Sequence, residues 1–352
     1  MKSYKVVEFG QPLRCVEVAE PAVTGGTILV RVRAAGVCHS DVHIWEGGYD
    51  LGHGQKLMLK DRGINLPLTM GHEVAGEIVA VGPNVRQRKV GEVCLVYPWV
   101  GCGTCRVCQN GEENLCMTPH SIGVYTDGGY SDHLLVPDER HLLPIGDLDP
   151  ALIAPYACSG LTTYSGLKKI DPDVLRNEPV VVIGAGGLGS MCVSILKGMG
   201  GKGAVVVDID ENKRKAALAA GALGAVDGAA PTALQDLRKA VGGPIWAVID
   251  LVGNEQSAAL AFNAIAKGGK IVCIGLFGGA APWSLPLIPI KAAIIQGSYT
   301  GSLTEMRELL DLVRSGAVKP IAIDRQPLDA ASAILEKVRA GKQMGRAVLV
   351  PA

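Results

Sequence analysis

The stretch VVVIGAGGLG, from Val180 to Gly189, joins a short β-branched strand to a glycine-rich turn and the start of a helix. It matches the pattern G-x-G-x-x-G, whose glycines permit a tight turn, close approach of a pyrophosphate to the backbone and close packing of helix on strand. Backbone N–H groups at the start of such a helix attract phosphate charge. The sequence therefore predicts a dinucleotide site here, with an ordinary glycine-rich turn as the alternative. The residues of the predicted site are Gly184, Gly186, Gly187, Leu188 and Gly189.

An acidic residue at the end of the next predicted strand supports this interpretation. Asp208 ends the run Ala204–Asp208, about 20 residues after the glycines, where a carboxylate binds ribose hydroxyls and repels the 2′-phosphate of NADP. Lys213 and Arg214 follow, and they either offset this repulsion in part or form a solvated helix face. We therefore expect NAD as cofactor, with Asp208 and Lys213 near it.

The pattern of apolar and polar residues changes near Pro179. From there on, buried-strand patterns alternate with helical patterns, which is typical of a parallel sheet covered on both faces. The preceding part of the chain shows short apolar runs separated by Gly, Pro and Asn, which predicts a β-rich domain. We predict an α/β chain in which residues 160–300 form a doubly wound parallel-sheet (Rossmann) domain. Residues 1–159 and 301–352 are expected to form the β-rich domain.

Charge and apolar runs exclude several classes of partner. The chain has 34 basic and 34 acidic residues, which argues against binding to nucleic acid or to a membrane surface. No uninterrupted apolar run approaches the roughly 18 residues of a membrane span, and the start shows no secretory pattern. We therefore expect a cytoplasmic protein whose ten cysteines are thiols or metal ligands.

Four cysteines are closely spaced in the pattern C-x2-C-x2-C-x7-C. Four thiolates of this density can hold one tetrahedral Zn²⁺ with no open position, which is typical of a structural site. Disulfides would need an oxidising compartment, and the bacterial iron–sulfur pattern has its fourth cysteine three residues on, followed by proline. The predicted ligands are Cys102, Cys105, Cys108 and Cys116.

A second group of reactive side chains lies in CHSDVH, from Cys38 to His43, and in Gly71-His72-Glu73. Each is ambiguous alone, because a single histidine at a strand edge is more often structural than a ligand. Together with the dinucleotide pattern and the four cysteines, the arrangement resembles the zinc-dependent medium-chain alcohol dehydrogenases over essentially the full chain. The motifs that carry the resemblance are Gly36–Asp41, Gly71–Gly76, the four cysteines, the glycine-rich turn and Gly345-Arg346.

The resemblance implies a GroES-like catalytic domain beside the Rossmann domain, and two zinc ions per chain. The catalytic zinc would be held by Cys38, His72 and Cys158, while Asp41 would accept the N–H of His72. Glu73 would lie behind the zinc and approach it during ligand exchange, or act only as a neighbour of the ligands. Spacing alone does not select Cys158, since Cys15, Cys94, Cys192 and Cys273 compete with it; these four are expected to be core thiols.

Further roles follow from the resemblance. The alcohol proton would pass from Ser40, through a ribose hydroxyl, to His43 near solvent, whose pKa of about 6.5 suits exchange at neutral pH. His39 and Arg346 would contact the cofactor pyrophosphate. Thr162 would touch the nicotinamide, and Leu276 would close the far side of the cleft. The remaining predicted residues, expected to line an apolar alcohol pocket or else to be core, are Trp45 and Trp99.

The expected activity is reversible hydride transfer between a primary or secondary alcohol and NAD, giving an aldehyde or ketone. The alternatives are a polyol or sugar dehydrogenase of the same superfamily and a non-catalytic protein that binds zinc and NAD. A homotetramer is expected, with a dimer as the alternative. The stretch Gly47–Pro67 is left open between a border of the substrate cleft, a subunit contact and a solvent loop.

Overall fold

Two large β-sheets organise the chain in the computed structural model, which describes residues 1–351. Strands β1 to β18 are, in chain order, Lys2–Val6, Arg14–Glu17, Ile28–Gly36, Gly48–Gly52, Gln55–Met58, Leu68–Thr69, Glu73–Val81, Val93–Val96, His133–Val136, Leu142–Pro144, Val180–Ile183, Ala204–Asp208, Gly224–Asp227, Ala247–Asp250, Lys270–Cys273, Ile294–Gly297, Ile323–Pro327 and Arg346–Val350. Helices α1 to α12 are His39–Glu46, Arg106–Gln109, Pro150–Ile153, Ser159–Lys168, Pro172–Asn177, Gly187–Gly198, Glu211–Ala219, Ala233–Val241, Glu255–Ala264, Leu287–Lys291, Leu303–Arg314 and Ala331–Arg339. Short 3₁₀ turns cover Leu59–Arg62, Glu113–Leu115, Glu139–His141, Ala154–Ala157 and Leu328–Ala330.

Six parallel strands form the sheet that follows the glycine-rich pattern. Their order is β13-β12-β11-β14-β15-β16, so the direction of winding reverses between β11 and β14. In such sheets the ligand crevice lies at the carboxyl ends of the strands at that reversal. All four residues of β11 are buried, as expected for a central strand covered on both faces. The predicted α/β class with a doubly wound parallel sheet is confirmed.

The other large sheet is mostly antiparallel and uses strands from both ends of the chain. Its order is β10-β8-β7-β3-β18-β17, with β9 also pairing with β3. Strand β18 returns from the C-terminal part of the chain to pair with β3, so the parallel sheet is inserted into the chain of this β-rich domain. The boundaries at residues 159 and 301 stay predictions. No described helix is long and apolar enough to cross a membrane.

The stretch Gly47–Pro67, left open by the sequence, contains a β-hairpin of β4 and β5 followed by a 3₁₀ turn. The backbone N–H of Gly279, beyond the parallel sheet, donates to the carbonyl of Asp50 on this hairpin over 3.3 Å. The hairpin therefore touches both domains. Glycines at 52 and 54 interrupt its side-chain alternation, which is why the sequence pattern did not reveal it.

Candidate active site and metal centres

Four buried side chains from separate parts of the chain meet at the junction of the domains. Cys38 precedes α1, His72 and Glu73 lie at the start of β7, and Cys158 precedes α4. One ligand atom from each lies within 4.8 Å of those of the other three. Of the five cysteines that spacing leaves as candidates, Cys158 is the one that lies in this cluster.

The donor set of this cluster fits a zinc ion. The sulfurs of Cys38 and Cys158 are 3.9 Å apart, close to the edge of about 3.8 Å that zinc–sulfur bonds of about 2.3 Å give in a tetrahedron. His72 Nε2 is buried and has no hydrogen-bond partner in the described part of the chain. A hydrogen bond from Cys158, together with the charges of Arg346 and His72, lowers the pKa of Cys38 and favours the thiolate that binds metal. Two thiols and an imidazole leave one tetrahedral position for water or substrate.

The buried carboxylate of Asp41 orients the histidine of this cluster. Asp41 Oδ1 lies 3.1 Å from His72 Nδ1, so the other ring nitrogen faces the thiols. Asp41 Oδ2 accepts hydrogen bonds from the backbone N–H of Cys38 over 2.8 Å and from the Tyr130 hydroxyl over 2.9 Å. Burial lowers the pKa of His72, but the Asp41 carboxylate and the Cys38 sulfur together raise it well above its ordinary value. Sequence reasoning missed Tyr130, which lies far from both motifs and carries no signal of its own.

Glu73 forms a buried ion pair with Arg346. The guanidinium Nε donates to Glu73 Oε2 over 3.0 Å, a second bond joins Arg346 Nη2 to Oε1, and the backbone N–H of Ser159 donates to Oε1 over 3.1 Å. Burial raises the pKa of Glu73 to about 7, against the effect of Arg346. A Cβ atom at Gly187 would lie 3.3 Å from Arg346 Nη1, so the same guanidinium also borders the glycine-rich turn.

The four closely spaced cysteines form a separate lobe. Their sulfurs lie within 4.8 Å of one another, with Cys105 and Cys108 at 3.5 Å and Cys102 and Cys108 at 4.0 Å. These separations are too long for a disulfide of about 2 Å and suit a closed zinc tetrahedron. Hydrogen bonds from Thr104 and from the N–H of Cys105 lower the pKa of Cys102 to about 5.

No disulfide joins any two of the ten cysteines. Of the four outside both clusters, Cys94 and Cys192 are buried and Cys273 is half-buried. Cys15 is exposed, so the expectation of a core thiol is wrong there, because its strand β2 lies at the edge of a small sheet.

A cleft of about 320 Å³ runs from the first cluster along the carboxyl edge of the parallel sheet. It is lined by every predicted cofactor residue and by most of the predicted catalytic ones. These residues are Cys38, His39, Ser40, His43, Cys158, Thr162, Gly184, Gly186, Gly187, Leu188, Gly189, Asp208, Lys213, Leu276 and Arg346.

The cleft fits a ribose-containing dinucleotide. Gly184 has φ +101°, a Cβ atom at Gly189 would collide with the Gly184 carbonyl, and Gly186 has open space beside it. These are the tight turn, close packing and phosphate approach that the pattern requires. Asp208 Oδ2 accepts from the N–H of Ala185 over 2.7 Å, which holds the carboxylate beside the turn. Buried polar atoms in the cleft that lack a partner among the described residues are His43 Nε2, Thr162 Oγ1, Ser298 Oγ and Thr300 Oγ1.

Comparison with known proteins agrees with this geometry. Residues 24–147 match a family model described as "Alcohol dehydrogenase GroES-like domain", and residues 187–315 match "Zinc-binding dehydrogenase". An NAD-dependent alcohol dehydrogenase of Sulfurisphaera tokodaii is 36% identical, with 100% of both chains covered. The chain belongs to the zinc-dependent medium-chain alcohol dehydrogenase family.

Two further relatives show what varies and what is shared within this family. A D-arabinose 1-dehydrogenase (NADP(+)) of Saccharolobus solfataricus is 31% identical, over 99% of this chain and 97% of that relative. The crystal structure of an alcohol dehydrogenase from Aeropyrum pernix superposes with a TM-score of 0.90 at 28% identity, covering 100% of both chains. The fold is therefore shared along the whole chain, while the named substrates and cofactors of the relatives differ.

The prediction that Trp45 lines the alcohol pocket is wrong. Trp45 does not line the cleft: its indole N–H donates to the Gln11 carbonyl over 2.6 Å, and the Arg339 guanidinium lies 5.2 Å from its ring centre. It is a core residue between α1 and α12. Trp99 does line the cleft, with its ring centre 5.4 Å from that of His72. The sequence analysis missed two tyrosines that also line it, Tyr49 and Tyr299.

The structure also corrects the expected surroundings of His43. Only 8% of this residue is exposed, so it does not stand at the solvent surface. Burial, and then the nearby His39, lower the pKa of His43 to about 4, well below the ordinary value that the sequence suggested. The imidazole is therefore neutral at neutral pH, and it can accept a proton.

We expect Tyr130→Phe to weaken metal binding at the Cys38–His72–Cys158 cluster by 10- to 100-fold, as losses of outer hydrogen bonds typically do. The variant leaves the buried Asp41 carboxylate with one partner fewer, while the four-cysteine lobe is untouched. Zinc release to a chromogenic chelator measures both sites. Tyr97→Phe is the matched control, because its buried hydroxyl bonds to the Gly301 carbonyl instead. Equal release from both variants would contradict the role of Tyr130.

Proposed function

We propose that this chain is a zinc-dependent, NAD-linked alcohol dehydrogenase that interconverts primary or secondary alcohols with aldehydes or ketones. The observation that carries the proposal is the opening of the Cys38–Cys158 pair directly onto the cleft of the glycine-rich turn. Zinc in this cluster would supply a Lewis acid for the alcohol oxygen, and NAD in the cleft would accept the hydride. The protein's part is to place the two groups against each other and to move one proton.

We assign that proton movement to Ser40 and His43. Both lie on α1 and line the cleft, and they are three residues apart, so their side chains share one helix face. The hydroxyl of Ser40 would take the alcohol proton, and the neutral imidazole of His43 would receive it on the way to water.

Cofactor contacts are assigned to residues along the rest of the cleft. The N–H groups at the start of α6 and the guanidinium of Arg346 would bind the pyrophosphate, with His39 beside them. Asp208 would bind the adenosine ribose, with Lys213 at its side. Thr162 and Leu276 would contact the nicotinamide end.

Two zinc ions per chain are proposed. Cys38, His72 and Cys158 would hold the catalytic ion, and the four-cysteine lobe would hold a structural one. Glu73 is proposed to approach the catalytic ion only during ligand exchange, because its carboxylate is engaged by Arg346 and by the N–H of Ser159.

The proposed activity is tested with NAD, zinc-loaded protein and a panel of alcohols, followed by absorbance at 340 nm. Cys38→Ser is expected to reduce the zinc content from two to one per chain and to abolish turnover, with NAD binding retained. Cys192→Ser is the matched control, since Cys192 is a buried thiol outside both clusters and should keep two zinc ions. Absence of NAD reduction with every alcohol would refute the enzyme proposal, and turnover by Cys38→Ser would refute this ligand.

Cofactor choice is a separate prediction. Asp208→Gly removes the carboxylate that would repel a 2′-phosphate, so the ratio of kcat/KM with NAD to that with NADP should fall at least tenfold. Steady-state kinetics with both cofactors measure the ratio. An unchanged ratio would show that another residue sets the preference.

A sugar or polyol dehydrogenase is the second candidate, favoured by the D-arabinose 1-dehydrogenase relative. The rings of Trp99, Tyr49 and Tyr299 line the cleft and instead favour apolar alcohols, since they offer apolar contact surface. Comparison of primary, secondary, aromatic and polyol alcohols in the same assay separates these candidates. A non-catalytic zinc- and NAD-binding protein would turn over none of them.

We propose a homotetramer in the cytoplasm, with a dimer as the alternative assembly. The absence of disulfides among the ten cysteines suits a reducing compartment. Among the described strands, β16 pairs only with β15 and leaves an open sheet edge, near the exposed apolar residues Leu285, Ile290 and Ile294. Edges of this kind are usually covered. Light scattering should give four chain masses; a single chain mass would contradict the assembly.

A further inference from the structure

The hairpin of β4 and β5 brings an aromatic ring against His43. Tyr49, on β4 opposite Leu57, has its ring centre 4.7 Å from that of His43, with the planes tilted by 41°. Tyr49 also lines the cleft. It comes from the stretch Gly47–Pro67, which none of the proposed catalytic roles uses.

This hairpin is held on both sides. Next to α1, the N–H of Leu59 donates to the Gly47 carbonyl over 3.0 Å. On the side of the parallel sheet, a Cβ atom at Gly278 would lie 2.9 Å from the Asp50 backbone oxygen, so the two backbones approach as closely as glycine allows. The N–H of Gly279 donates to that same oxygen. The position of Tyr49 is therefore set by contacts with both domains.

His43 is enclosed on the side where Tyr49 lies. It is 8% exposed, and its Nε2 is buried with no hydrogen-bond partner among residues 1–351. The His39 ring packs edge-on from the same helix, with ring centres 5.1 Å apart. The aromatic face of Tyr49 thus covers an imidazole that, with Ser40, forms the outer part of the proposed proton path.

We propose that Tyr49 is a positioning residue that covers His43 and seals the outer end of the Ser40–His43 proton path from bulk water. The inference rests on the proposed function for the meaning of that path, but not for the contact itself. Exchange of the His43 proton with solvent then requires movement of Tyr49 or of the hairpin. An apolar cover keeps water out of the cleft during the reaction.

The test is chemical modification of His43 by diethyl pyrocarbonate in the zinc-loaded, full-length protein, read by peptide mass spectrometry. This reagent reacts with neutral, accessible imidazoles. Tyr49→Ala should increase the rate at His43 at least tenfold. Tyr49→Phe keeps the ring and should stay within about twofold of the unchanged protein.

Two controls make the result decisive. His141 is 1% exposed and far along the chain from the hairpin, so it should stay protected in all variants, and its modification would reveal loss of fold. Gly278→Ala leaves Tyr49 intact but pushes on Asp50 of the hairpin, so it should also accelerate modification of His43. The proposal is overturned if His43 stays protected in Tyr49→Ala, or if Tyr49→Phe reacts as fast as Tyr49→Ala.

The pH profile of alcohol oxidation is a second readout. His43 must be neutral to accept a proton, so the rate falls as the pH drops through its pKa. Burial holds the pKa of His43 near 4; of the charged groups, His39 lowers this pKa and the Cys38 thiolate raises it. On the hairpin, the neutral phenol of Tyr49 faces the His43 ring. Exposure of His43 in Tyr49→Ala should therefore raise its pKa and move the acid limb of the pH–rate profile to higher pH. Tyr49→Phe should leave the acid limb where it is. If no form oxidises alcohols, the proposed function fails, while the modification rates still decide the role of Tyr49.

Discussion

The carboxylate of Asp41 is the constraint on which the active-site geometry depends. A buried charge is costly unless it is fully engaged, and Asp41 is 0% exposed. Its partners are the N–H of Cys38, the imidazole of His72 and the hydroxyl of Tyr130, which come from the end of β3, the start of β7 and a loop before β9. Satisfying this one group therefore fixes two of the three proposed zinc ligands relative to each other, and it sets which ring nitrogen of His72 faces the thiols.

A second buried charge joins this centre to the cofactor cleft. Glu73 follows His72 directly, and its ion pair with Arg346 ties the start of β7 to the start of β18. The same guanidinium borders Gly187 at the start of α6, in the other domain. The metal cluster and the dinucleotide cleft therefore share one charged contact.

The fold was predictable from the sequence where pattern and chemistry are local. The strand Val180–Ile183, the glycine-rich turn and the four-cysteine lobe carry their own signals, whereas Cys158 was singled out from the other candidate cysteines only through the resemblance. The error at Trp45 has a plain physical origin: it lies two residues after His43 on α1, about 200° around the helix, so both cannot face one cleft. Tyr49 and Tyr130 could not be identified, because their roles depend on contacts between distant segments.

The four-cysteine lobe supplies no proposed catalytic residue, but it contacts a segment that lines the cleft. Asn114, between two of its cysteines, donates to the Tyr299 carbonyl over 2.9 Å, and the buried Tyr97 hydroxyl donates to the Gly301 carbonyl over the same distance. Between these two anchors Thr300, which borders the cleft, adopts φ +46°, a costly conformation for a β-branched residue. Its hydroxyl has no hydrogen-bond partner among the described residues. Such strain persists only where the flanking contacts enforce it. A metal ion that organises this lobe would therefore also support the shape of the cofactor-facing wall, since the lobe supplies one of the two anchors.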